Sequence, residues 1–276
     1  MRSAKEQSLD LKIIETLEAF GLTRKALQAA KMMLADEEIQ AYQECANTVS
    51  IVRLGYNDHG PVHMRTVVMN AIIMMELLRQ DGIVTSLEKE NVGDFEDSLM
   101  AVIFAAMLHD LGMSIGRQDH ELHSAYLAAP IIDRFLSELY PSETYPNSLY
   151  KKLMIRSLAL ECIYGHMGGH PIHSLEAGIV QVADGCDMTK GRARISMSLD
   201  HTPRGGSIHQ YSASSIEEVR ISLGQEKPIR IEVSMSSEVG LFQIEEVLLK
   251  KLSASTAKHH IELYAQLQDG EPKKYL

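Results

Sequence analysis

Residues 99–110 read LMAVIFAAMLHD: ten apolar residues, Leu99 to Leu108, close on His109-Asp110. A helix apolar on every side has no face to offer water, so the segment predicts a buried core helix. Its end carries an imidazole and a carboxylate into that interior. Burying an ionised carboxylate is costly without a partner, and a divalent metal suits neutral imidazole and carboxylate together. Taken alone, the pair also fits a hydrogen-bonded core histidine and an aspartate that ends a helix before Gly112.

Three other segments repeat the pattern. Gly60-Pro61 reads as a helix start, and His63 then heads a stripe with Val67, Asn70 and Met74. His120 aligns with Ser124, Leu127, Ile131 and Phe135, an inward-looking row that passes an expected kink at Pro130. Between Ser174 and Lys190, Leu175, Ile179, Val182 and Cys186 form one apolar face; Asp184 lies opposite, with Ala177, Val180 and Met188. An acidic residue on the second apolar stripe of a helix buried on both sides calls for pairing or metal binding. A chance core histidine explains one of these positions and explains the set poorly.

The ordered set His63, His109-Asp110 and Asp184 resembles the signature of the HD superfamily of metal-dependent phosphohydrolases. The wording is close over about residues 40 to 200, in Asn57-Asp58-His59-Gly60-Pro61-Val62-His63, Leu108-His109-Asp110-Leu111-Gly112 and His173-Ser174-Leu175-Glu176-Ala177. The resemblance implies a mainly α fold, an HD-domain helical bundle with the metal in its middle, and phosphate-ester hydrolysis. It assigns His63, His109, Asp110 and Asp184 to one ion. Members with a second ion add histidines, with the Asp of the dipeptide bridging; His120 matches the first such position and His166 one of a later His-His pair. The other half of that pair is Gly165 here, and His170, beyond Gly168-Gly169, is the candidate substitute.

Two departures bear on substrate. Gly168-Gly169-His170-Pro171 does not reproduce the Gly-Tyr-Pro stretch of the cyclic dinucleotide phosphodiesterases, which disfavours that class. Met113 stands where many members carry a Lys three positions after the HD Asp, so a phosphate-binding cation must come from elsewhere. Arg117 is the nearest candidate, since guanidinium clamps phosphate oxygens in a bidentate manner; the alternative is a solvated helix-start charge. A metal-bound water of lowered pKa attacking phosphorus is the implied chemistry, with Asp110 at its centre. His123 and His173 are the candidate general acids, against a solvent-facing His123 and a His173 that merely precedes the Ser174 helix start. Asp187 reads as a polar helix flank. The ligand set admits manganese, iron, nickel, cobalt or zinc, as one ion with room for a second. Cys45, Cys162 and Cys186 show no metal spacing, and Cys162 reads as a core thiol.

The 276 residues carry a formal charge of −10, which argues against a general nucleic-acid binder and leaves a small phosphorylated substrate compatible. No signal-peptide core or bilayer-length apolar run stands out, and three cysteines without framework spacing fit a reducing compartment; the expectation is a cytoplasmic protein with no membrane partner. Helical signals run over Leu11 to Phe20, Ala26 to Arg53, the ligand-bearing segments, and Asn147 to Tyr164. Gly82 to Asp97 and Tyr140 to Pro146 read as surface connections. Near Pro203-Arg204-Gly205-Gly206 the pattern changes. Val219, Ile221 and Leu223, then Ile229, Ile231, Val233 and Met235, then Ile261, Leu263, Ala265 and Leu267 alternate as strands, with an amphipathic helix at Leu241 to Leu252. The expected division is a helical HD domain, 1–203, and a small α+β module (β-β-α-β), 204–276. A unit of that size needs a neighbour to bury its core, either the helical domain or another copy in a homo-oligomer. His209, in that module, reads as lying outside the ligand set. Two other function classes share these ligands: an oxygen-activating di-iron enzyme of the HD fold, and a metal-stabilised binding or regulatory protein without turnover.

Overall fold

The computed structural model describes residues 2–21, 24–141, 147–189, 212–268 and 270–276. Helices α1 (Ala4–Ala19), α2 (Arg24–Ala35) and α3 (Glu37–Asn47) open the chain, and a π-helical turn, Thr48–Arg53, ends in Gly55 at φ 68°. Then come α4 (Pro61–Gln80), α5 (Ser86–Lys89), α6 (Phe95–Leu108), a 3₁₀ turn (Leu111–Ser114), α7 (His120–Leu139), α8 (Asn147–Gly165) and α9 (Leu175–Cys186). Every residue of α6 from Asp97 onward is buried, as its unbroken apolarity requires. It packs against α2, α4, α8 and α9 and is the axis of the bundle.

The C-terminal residues form a four-stranded sheet in the order β1 (Ile216–Leu223), β2 (Ile229–Met235), β3 (Ile261–Leu267), β4 (Lys273–Lys274). β1 and β2 are antiparallel; β2 and β3 are parallel, with Ile229 opposite Ile261 and Val233 opposite Ala265. A parallel pair needs a crossover, and a helical stretch, 238–254, supplies it, ending in α10 (Leu249–Ala254). The expected β-β-α-β unit is therefore present, with β4 added against β3. Its strands β1 and β2 rest on α4 and its crossover on α9, so one apolar core runs from α1 to β3.

Several elements differ from their sequence patterns for local reasons. Ser3 and Glu6 form a capping box that starts α1 seven residues before Leu11. The expected helix from Ala26 to Arg53 breaks at Asp36, whose carboxylate accepts from Ile39 N–H and caps α3. The Gly82–Asp97 connection holds α5, and it ends in a capping box, Asp94 with Asp97, whose Asp97 is wholly buried. α7 runs through Pro130. The expected boundary at 203, residues 142–146 of the second connection, and His209 lie outside the described residues. Two stretches, Pro61–Gln80 and Phe95–Ser114, are long and apolar enough to cross a membrane. Their apolar windows are 72% and 94% buried within the fold, which makes them core helices here.

Candidate metal centre

Each candidate ligand sits at a helix end or beside one. His63 is in the first turn of α4, where Pro61 fixes the first helical φ and Gly60 N–H donates to Asp58 Oδ1 at 2.7 Å. A side chain at Gly60 would collide with Asn47, so the glycine lets α4 start against α3. His109 caps α6, and Asp110 leads into the 3₁₀ turn. Gly112 explains why α7 begins beside them: a Cβ there would strike the backbone of His120 and Ser124, while its N–H donates to Ser124 Oγ at 2.8 Å. Asp119 enters α7 with φ 52°, a left-handed conformation that aspartate tolerates better than most residues. His166 follows the end of α8, and Asp184 lies in the last turn of α9.

The two oxygens of Asp110 face different sets of histidines. Oδ2 lies 2.6 Å from His59 Nδ1, 3.3 Å from His63 Nε2 and 3.5 Å from His109 Nε2. Oδ1 lies 3.2 Å from His120 Nε2 and 3.6 Å from His166 Nε2. Asp184 Oδ1 completes the first group, 3.3 Å from His63 Nε2 and 3.9 Å from His109 Nε2. Three sets, His59-His63-Asp110, His63-His109-Asp184 and His109-Asp110-His166, have donor atoms within 4.8 Å of one another, the spread expected of ligands around an ion.

Tautomers decide what this cluster can hold. His109 Nδ1 is 2.9 Å from Ala106 O, His120 Nδ1 is 3.0 Å from Arg117 O, and His166 Nδ1 is 2.6 Å from Ile163 O. A carbonyl only accepts, so each Nδ1 carries the proton, and in a neutral ring each Nε2 then presents a lone pair. His63 Nδ1 is 2.7 Å from the carboxylate of Asp187, which gives it the same tautomer. These Nε2 atoms converge on one another at 3.2 Å, in the pairs His63-His109 and His120-His166, and on the oxygens of Asp110. Lone pairs gathered around an anionic carboxylate repel unless a cation lies among them. A divalent metal fits this donor set, and the outer hydrogen bonds to carbonyls and Asp187 are the kind that orient ligating imidazoles.

Protonation supports the same conclusion. Burial, reinforced by repulsion from His166 and His63, drives the His109 pKa down to about 3 against the pull of Asp110 and Asp184, so the ring is neutral near pH 7. Burial likewise lowers His166. Burial would raise Asp110, but the charge that His109 takes on in acid, with that of His59, holds it well below the usual carboxylate range, so it is ionised beside neutral rings near pH 7. For Asp184 burial is overcome first by Lys251, then by His63 and His109.

The remaining sequence candidates divide. Arg117 is half-buried beside His120, and its Nη1 is shielded from water with no hydrogen-bond partner among the described residues. His123, also half-buried and one turn after His120, has an Nδ1 with no partner among the described residues. His173 is not brought to the cluster: it is exposed, before the N-cap Ser174 of α9, while Asp184 is near the opposite end of a helix roughly 18 Å long. Its N–H donates to Glu161 Oε1, a structural role. His170 stacks on Tyr164 with centroids 4.1 Å apart and lies 3.5 Å from Glu121, not in the cluster. Position 165 could not carry a histidine, because a Cβ there would run into Ile172. Asp187 is no mere flank, since it orients His63.

Two residues went unread in the sequence. His59 precedes His63 by four positions, but Gly60-Pro61 separates them, so helical periodicity carries no signal for it. Lys251 comes from α10, and its Nζ is hydrogen-bonded to Asp184 Oδ2; no local pattern links two positions so far apart.

Residues 63–189 match the family model described as HD domain. The chain belongs to the HD superfamily. Across 252 residues it is 41% identical to an uncharacterized protein of Methanocaldococcus jannaschii (MJ1020), covering 90% of this chain and 93% of that one. No solved structure matches it. HD membership and the His/Asp clusters together point to a metal-dependent hydrolase with a divalent ion.

Proposed function

We propose that this HD protein is a phosphohydrolase that cleaves a phosphomonoester or phosphodiester of a small molecule, a nucleotide being one candidate, with a two-position metal centre. The observation that carries the reading is the division of Asp110 between its two histidine groups, each presenting Nε2 lone pairs. His63, His109, Asp110 Oδ2 and Asp184 would hold one ion; Asp110 Oδ1, His120 and His166 would hold the other. A bound divalent ion supplies a water of lowered pKa and positive charge for phosphoryl oxygens.

The protein groups have distinct tasks. Asp187 and the carbonyls of Ala106, Arg117 and Ile163 fix the imidazole tautomers, and His59 steadies Asp110 by donating to Oδ2. Arg117, with a desolvated nitrogen in search of an acceptor, suits a phosphate oxygen. His123 is the candidate proton donor to the leaving oxygen, one turn along α7 from His120. Three free cysteines, two of them buried, suit the reducing cytoplasm as the place of action.

Protein stripped of metal and reloaded with manganese, iron, nickel, cobalt or zinc should release phosphate from a member of a broad panel of small phosphate esters. Absence of release with every metal overturns the reading. Oxygen-dependent turnover by the iron form would move the protein to the oxygen-activating branch; stabilisation by phosphorylated ligands without product would make it a binding protein.

A further inference from the structure

Lys251 is the cation that, among the described residues, pairs with a carboxylate of the cluster, and it belongs to the C-terminal unit. It is 8% exposed, and its Nζ sits on Asp184 Oδ2 while Oδ1 of the same carboxylate faces His63 and His109. Pairing with Asp184 offsets the cost of burying the lysine, and of the three donors of its ammonium group only the one on Asp184 Oδ2 has an acceptor among the described residues.

The approach is built into both surfaces. Gly185 opens the side of α9: a Cβ there would lie 3.3 Å from Lys251 Cδ and 3.2 Å from Leu248 Cδ1, within the space that the lysine stem and its neighbour need. The end of α10 is pinned to the other end of α9 by Ser255 Oγ donating to Gly178 O at 3.0 Å and Thr256 Oγ1 donating to Ser174 O at 2.6 Å. A side chain at Gly178 would collide with the backbone of Ala257, so this docking requires glycine there. The lysine is thus aimed along α9 at its aspartate. Met113, where a lysine of the HD motif would stand, is fully buried and offers no charge.

We propose that Lys251 is a substrate-binding residue that the C-terminal unit inserts into the metal centre, where its ammonium group takes a phosphoryl oxygen of the substrate. The unit then completes the active site, beyond any oligomeric role. This rests on the phosphohydrolase reading, and it selects substrates whose anionic phosphoryl group reaches past Asp184 toward α10.

The test uses the full chain, metal-loaded, with inorganic phosphate as the probe. Calorimetry should show phosphate binding weakened about 10- to 100-fold in Lys251→Ala and Lys251→Met, with Lys251→Arg recovering most of it, the range expected for one charge-assisted hydrogen bond. Metal content, read by elemental analysis, should remain at the parent level in all three, and KM should rise more than kcat falls. Lys251→Met keeps the apolar stem and guards against simple unfolding of the Ala variant. If either folded, metal-replete neutral variant binds phosphate as tightly as the parent, Lys251 is only a structural partner of Asp184 and the inference fails while hydrolysis stands. If the parent neither binds phosphate nor hydrolyses any ester, the phosphohydrolase reading itself fails and takes this one with it.

Discussion

Asp97, in the first turn of α6, and Asp110, just past its last, are both shielded from water, yet their surroundings are opposites. Asp97 is surrounded by donors: Tyr140 gives its hydroxyl hydrogen to Oδ1, while Lys151 Nζ at 2.6 Å and Asp94 N–H at 2.9 Å serve Oδ2. Burial alone would raise its pKa; Lys151 and Tyr140 keep it lowered, and the Tyr140 hydroxyl is correspondingly pushed up, by burial first and then by Asp97. Asp110 has a donor in His59, and then Nε2 lone pairs. The first arrangement is complete with protein atoms alone, and ties α6 to α7 and α8. The second becomes favourable when a cation is added. A closed polar knot stabilises the fold, whereas an open one of similar burial is a binding site.

Substitution should separate the two ends sharply. Asp110→Ala should remove bound metal and lower turnover by at least about a thousandfold, because both proposed ion positions would share that carboxylate; elemental analysis and phosphate release read it. Asp97→Ala should leave metal stoichiometry intact but lower unfolding free energy by about 3–5 kcal/mol, the cost of stranding a buried partner, seen in denaturant titration. If Asp97→Ala lost metal while keeping its fold, the contrast would collapse.

Asp187→Asn tests the outer hydrogen bonds. It should weaken metal affinity about 10- to 100-fold without comparable loss of stability, since a neutral amide oxygen holds the His63 Nδ1–H less firmly than the carboxylate does.

Acid should distinguish the ends as well. His109 is held neutral to about pH 3, so the unfolded chain, with an ordinary histidine, takes up a proton first as pH falls below about 6.5. Metal-free protein should therefore lose stability from that pH downward, by about 1.4 kcal/mol per pH unit from this group, and His109→Gln should flatten that arm. Asp97, lowered in the folded state, contributes stability present above the unfolded value of about 3.8 and lost as pH falls through its folded value. Its arm should begin only in stronger acid. Denaturant midpoints followed from pH 7 down to about pH 2 check both.

The smallest expected effect belongs to His173→Ala. Turnover should stay within about twofold of the parent, as its exposed place before α9 implies. A loss of a hundredfold would return His173 to the site.

Much of this was legible before the structure. Burial of α6 followed from its composition, and the inward faces of α4, α7 and α9 from the 3.6-residue period, which together exposed His63, His109, Asp110, His120 and Asp184. The strands showed through their alternation. His59 escaped because Gly60-Pro61 interrupts the period, and Asp97 was read as part of a polar connection because a capping box looks the same whether it is buried or exposed. Asp187 read as a helix flank because its partner, His63, is 124 residues away.

The sequence by itself determined which segments are helical or extended, which faces turn inward, and that imidazoles and carboxylates lie on those faces, because such properties depend on neighbours within a few residues. The tertiary structure decided which nitrogen of each histidine is left to bind, how Asp110 is shared, that His173 stays outside, and that Lys251, 67 residues from Asp184, reaches it. Hydrogen-bond partners and charge pairs are matters of distance through space, and only packing brings distant parts of a chain within 3 Å of each other.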